Sequence, residues 1–134
     1  MAGVRAVVAD PGGLSRLGRA GDNRIELIVP QIIATDAVDT LTVAKLSAGL
    51  LAYTGFTAAR VLTTDTAANI LAAFPQLDIG DTVSMQIGIS TAFAGTLAAG
   101  AGITLQGKAA VPASGAANLY FTKTSATTMN CLCI

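Results

Sequence analysis

The spacing of apolar residues along this chain changes from helical to strand-like at about Asp78, and that change organises the reading. Beyond it, Val83, Met85, Ile87 and Ile89 alternate with Thr82, Ser84, Gln86 and Gly88. A period of two marks a strand with one buried face. Further short strands follow. Gly95–Gly100 and Ile103–Gly107 read as a hairpin joined around Gly100-Ala101-Gly102, and Ala109–Val111, Asn118–Lys123 and Thr128–Ile134 read as single strands. Before Asp78 the spacing is helical in two places. Val43, Leu46, Leu50 and Tyr53 predict a helix over 40–53, capped by Asp39, Thr40 or Thr42, weakened by Gly49 and stopped by Thr54-Gly55. Ala67, Ile70, Leu71 and Phe74 predict a second, capped by Asp65 or Thr66 and ended by Pro75. Arg24–Val29 reads as a strand that Pro30 ends or places on a sheet edge, with Gln31–Ala34 as its continuation, and Ala59–Thr63 as another short strand.

Short strands separated by Gly, Ser and Thr turns predict a mainly β fold: a compact antiparallel β-sandwich or barrel with two short α-helices. Residues 1–24 lack this patterning. Asp10-Pro11-Gly12-Gly13 is a turn cluster, and Gly18 and Gly21 follow. The expected organisation is an extended N-terminal arm over 1–24 and a single β-rich domain over 25–134. A chain of 134 residues suits one such domain.

Charge and hydropathy narrow the function. The formal net charge is zero, so the electrostatic term that drives non-specific nucleic-acid binding is missing, and no nucleic-acid partner is expected. Arg16, Arg19 and Arg24 cluster, but Asp10, Asp22 and Glu26 sit among them, as in a mixed, solvated arm. Mean hydropathy is high at +0.63, yet no apolar run approaches the ~20 residues of a spanning helix, and the first residues are too short an apolar run for a secretory signal. No membrane partner is expected. Much alanine, valine, leucine and isoleucine with only 12% charged residues suggests instead a surface that meets another protein.

Candidate chemistry is sparse. The chain contains no histidine and no tryptophan, which removes the usual general base and the commonest metal ligand. Gly13-Leu-Ser-Arg-Leu-Gly18-Arg19-Ala20 superficially resembles a phosphate loop, but Arg19 and Ala20 stand where a Lys and a Mg²⁺-binding hydroxyl belong. Cys131-Leu-Cys133-Ile134 has the outline of a prenylation box without a polybasic run. Cys131 and Cys133 share one strand face and read as buried free thiols. Asp36, Asp39, Asp65, Asp78 and Asp81 stand at positions that capping and turn chemistry explain. The dispersed aromatics form no nucleic-acid platform. The expectation is a protein that is not an enzyme and that takes no cofactor and no metal.

Four segments carry a resemblance to a known family: Leu41–Gly49, Asp65–Phe74, Ile79–Val83 and Thr96–Gly107. Their order, a Thr/Ala-rich helix, a short strand, a second capped helix and then β-hairpins, resembles the capsid decoration, or cement, proteins of tailed bacteriophages, the cyanophage-type examples above all. The resemblance covers about half the chain and implies a β-rich protomer that assembles, often as a homotrimer, on the outer surface of an icosahedral capsid. Its partners would be the major capsid protein and copies of itself, its location the virion. Such a protein works by area, since many weak contacts sum through multivalency. The arm, with Arg5, Arg16, Arg19 and Arg24, is the expected capsid or neighbour contact. The alternative is a fibre or spike module binding a host-surface ligand, which the missing tryptophan disfavours.

Overall fold

The computed structural model describes residues 29–134. Over these residues the elements run β1 (Gln31–Ile33), β2 (Asp39–Leu41), α1 (Val43–Ala48), β3 (Leu50–Tyr53), β4 (Arg60–Thr64), α2 (Ala67–Ala73), β5 (Thr82–Ile89), β6 (Gly95–Ala98), β7 (Ile103–Gly107), β8 (Ala110–Val111), β9 (Gly115–Lys123) and β10 (Met129–Cys133). The fold is mainly β with two short helices and two mixed sheets. The larger has the order β1-β3-β5-β9-β10-β7 and the smaller β2-β4-β6-β8.

The chain visits the two sheets in turn as far as β9. Odd-numbered strands join the large sheet and even-numbered ones the small sheet, until β10 follows β9 into the large one. This alternation corrects the expectation of a purely antiparallel fold. Over β1 to β6 a strand that leaves one sheet, crosses the other and returns re-enters at the same end, so it lies parallel to its predecessor: β1–β3, β3–β5, β2–β4 and β4–β6 are parallel. The pair β7–β10 is parallel as well. The pairs β5–β9, β9–β10 and β6–β8 are antiparallel. The expected hairpin over 95–107 is corrected for the same reason: β6 belongs to the small sheet and β7 to the large one. The turn between them is present, with the Ile103 amide donating to the Gly100 carbonyl and Gly102 in the left-handed region. It carries the chain across rather than back.

The helix expected over 40–53 is confined to Val43–Ala48. Thr42 caps its start, accepting from the Lys45 amide, and Gly49 at φ 81° ends it in the left-handed conformation that glycine adopts without a Cβ penalty. Leu50–Tyr53 then form a strand whose burial alternates, with Leu51 and Tyr53 inward. Helix α2 starts on Thr66, whose side chain accepts from the Asn69 amide, and buries Ala67 and Ile70 as its spacing predicts.

Residues from both sheets share one core. Leu51, Ile87, Leu119, Phe121, Met129 and Cys131 of the large sheet belong to the same buried cluster as Leu41, Leu62, Leu97 and Val111 of the small one, with Leu46 and Ile70 from the helices. The arm over 1–24 and the strand expected over Arg24–Val29, apart from Val29 itself, lie outside the described residues.

Candidate interaction surface

The outward half of the large sheet is an uncharged surface. Most inward positions in β5, β9 and β10 are buried and alternate with exposed or half-buried ones, so register assigns the outward residues directly. One row across the sheet is Ile32, Ala52, Gly88 and Ala116. The next is Leu50, Gln86 and Asn118, extended by Ile134, which exchanges backbone hydrogen bonds of 2.8 and 3.0 Å with Asn118. A third is Ser84, Tyr120, Leu132 and Gln106, and a fourth Thr82, Thr122, Asn130 and Thr104. About half of these side chains are apolar and the rest are neutral hydroxyls and amides. Thr82 and Thr122 are bonded to each other, Oγ1 to Oγ1, at 2.8 Å. Ile32, Leu132 and Ile134 are exposed apolar residues on this face. At its Gly88 end lies a shallow depression bordered by Ala52, Ser90, Ser114 and Gly115, again without a charge.

Charged side chains are used elsewhere, as internal ties. Asp39 joins three elements. Its carboxylate accepts from Lys45 Nζ of α1 at 2.7 and 2.6 Å and from the Tyr53 hydroxyl of β3 at 2.7 Å. Burial pushes the Asp39 carboxyl up, but the Lys45 and Tyr53 hydrogen bonds outweigh it and hold the group below its ordinary range. Burial, reinforced by the Asp39 charge, pushes the Tyr53 phenol well above its ordinary value. Asp36 pairs with Arg60 Nε at 2.8 Å and accepts from the Thr57 amide at 3.1 Å and from the Thr57 hydroxyl. The Arg60 guanidinium, followed by Thr57, holds the Asp36 carboxyl far below the carboxylate range. Asp36 and Asp39 are therefore ion-pair residues, a correction to the capping role expected of them. Asp65 does serve helix starts: its Oδ2 accepts from the Val43 amide at 3.0 Å and its Oδ1 from the Thr66 amide at 2.8 Å. Asp81 closes a turn by accepting from the Asp78 amide at 2.9 Å. Lys123 Nζ donates to the Leu77 carbonyl at 2.9 Å.

Cys131 and Cys133 are free, buried and inward on β10. Burial, with the neighbouring Cys133, pushes the Cys131 thiol up to about 12, and burial raises Cys133 as well against the opposing pull of Lys108. Thiols held protonated in this way are poor nucleophiles and poor metal ligands. Among the described residues no three His, Cys, Asp or Glu side chains come together as metal ligands, and no helix is long and apolar enough to cross a membrane.

The residues expected to make contacts, Arg5, Arg16, Arg19 and Arg24, all lie outside the described residues. The face itself was visible in the sequence only as a fragment: Thr82, Ser84, Gln86 and Gly88, the polar half of the clearest strand, carry no charge. What joins them to β10, β7 and β1 is topology. No protein-family model matches the chain, and the characterised proteins and the solved structures offer no match either.

Proposed function

We propose that this chain is a structural virion protein that binds the outer surface of an icosahedral capsid and cements neighbouring capsomers without catalysis. The observation that carries the reading is the uncharged outer face of the large sheet. Protein interfaces are marked less by bulk hydrophobicity than by depletion of charge at their centre, with mixed apolar and neutral polar groups. In this reading the two sheets are the layers of a β-sandwich whose inner faces hold the protomer together. The outer layer is left for contacts with copies of the chain and with the major capsid protein. The resemblance of Leu41–Gly49, Asp65–Phe74, Ile79–Val83 and Thr96–Gly107 to tailed-phage decoration proteins supplies the capsid. The Asp39–Lys45 and Asp36–Arg60 ion pairs, with the Tyr53 hydrogen bond to Asp39, stiffen the module without contributing chemistry. The segment 1–24, with Arg5, Arg16, Arg19 and Arg24, adds a second contact.

The test is a virion assembled without this chain and then given the purified protein back. The expected result is saturable binding over the shell, visible by electron microscopy, and greater resistance to heat-induced DNA release. Density confined to a tail fibre would transfer the protein to the ligand-binding alternative. A chain that binds no part of the particle would overturn the proposal. Deleting residues 1–24 is expected to abolish particle binding while leaving a folded domain, and unchanged binding would remove the arm from the interface.

A further inference from the structure

We infer that the outer face of the large sheet is a self-association surface, on which a second copy of this chain packs its own equivalent face about a two-fold axis. The inference does not depend on the capsid reading, because such a pair forms in solution.

Three observations select a second copy as the occupant. The first is charge. Every outward side chain of the large sheet is neutral, although nine of residues 29–134 have charged side chains. A partner bringing charged groups here would bury them without counter-ions, which is costly. The identical face of another copy meets that requirement and is present at equal concentration. The second is size. With strands ~4.8 Å apart and ~3.4 Å per residue, six strands and the nine residues of β9 set an outline of about 29 by 30 Å, which short edge strands trim to roughly 600 Å² before side-chain relief is added. That approaches the ~800 Å² per partner of a standard stable interface.

The third observation is the internal register. In an isologous contact each patch meets its own image. A two-fold axis running along the strands between β5 and β9 exchanges β5 with β9 and β3 with β10. It sets Leu50 over Ile134, Gln86 over Asn118 and Gly88 over Ala116 of the second copy, since these residues are rows of one register. Apolar meets apolar, amide meets amide and small meets small. Face-to-face sheets that align within about 30° keep such rows in contact near the axis.

The experiment is the molar mass of the full chain by light scattering, at concentrations on the order of 100 μM, where a pair with a micromolar Kd is populated. The expected mass is twice the 13.4 kDa of one chain, and unchanged in 1 M salt on the order-of-magnitude argument that no charge pair is involved. Gln86→Lys, exposed and central, is expected to return the protein to a monomer with unaltered far-UV circular dichroism. Ser84→Lys is the second variant on the same face should the first fold poorly, and Ile79→Lys, exposed but off the face, is expected to leave the mass unchanged. A wild-type monomer overturns the inference. So does a trimer, which a single isologous contact cannot build, although a trimer would leave the capsid reading standing. A dimer that survives both face variants, or that dissociates in salt, overturns it as well.

Discussion

Replacing Tyr53 with phenylalanine isolates one hydrogen bond at the point where β2, β3 and α1 meet. The ring is fully buried and lies 5.2 Å from Phe56, centroid to centroid, tilted by 32°. Phenylalanine fills the same space, so packing is retained, and what disappears is donation to Asp39 Oδ2 at 2.7 Å. A hydrogen bond to a charged group contributes ~1.5–3 kcal/mol. Asp39 keeps both contacts from Lys45, so the carboxylate is not stranded, and the loss falls at the lower end, about 1.5–2 kcal/mol. In a domain of this size that lowers the Tm by about 4–10 °C. The pH dependence has a fixed sign. Asp39 is held below its ordinary pKa, so its stabilisation is fully present above the unfolded value of ~3.9 and is lost as the pH falls through the folded value. The gap between wild type and Tyr53→Phe should therefore be open at neutral pH and narrow in acid below about pH 4. Urea unfolding followed by circular dichroism across that range is the assay. A loss below about 0.5 kcal/mol at neutral pH, or one that does not vary with pH, would refute the argument.

Three further outcomes follow from the same geometry. Cys131 and Cys133 should resist alkylation at mildly alkaline pH in the native protein and label fully in guanidinium, because both are buried and their thiols are raised; rapid native labelling would show that β10 is not held in the sheet. Gly100→Ala should cost about 1–3 kcal/mol in chemical denaturation, since its Cβ would meet the Thr64 and Asp65 carbonyl oxygens at 2.5 and 2.6 Å, backbone atoms that cannot swing aside. Thr64→Val keeps the shape of a buried side chain but removes the acceptor of the Gly100 amide at 2.8 Å; a cost of about 1–3 kcal/mol is expected, and a neutral result would mean that the amide finds another partner.

The chain announces its local structure more readily than its partners. Helix α2 was legible because Thr66, the spacing of Ala67 and Ile70, and Pro75 all agree. Helix α1 was overextended because Leu46, Leu50 and Tyr53 satisfy a helical period, while Leu51 and Tyr53 equally satisfy a strand period, and only Gly49 separates the two. The alternation in β5 fixed which side of the strand is buried, but alternation is the same whether a neighbour runs parallel or antiparallel. Gly100-Ala101-Gly102 likewise marks a turn without saying which sheet the next strand will join. The candidate surface inherits that gap. Its β5 quarter is written in consecutive residues, whereas Ile32, Leu132 and Gln106 reach it only through long-range pairing.

The placement of β10 has a consequence for the order in which this molecule folds. Among the described residues β7 is bonded in the large sheet to β10 alone, and β10 sits between β7 and β9. Met129 stands 26 positions after its register partner Ile103, so β7 cannot take its place in the large sheet until β10 has docked. The sheet closes only when the last strand threads between two earlier ones. Strands β1, β3 and β5 pair with one another without β10, so a folding molecule in which β10 is still undocked has one specific edge bare. That edge is where a holding chaperone would act, and where a neighbouring chain would compete for β7.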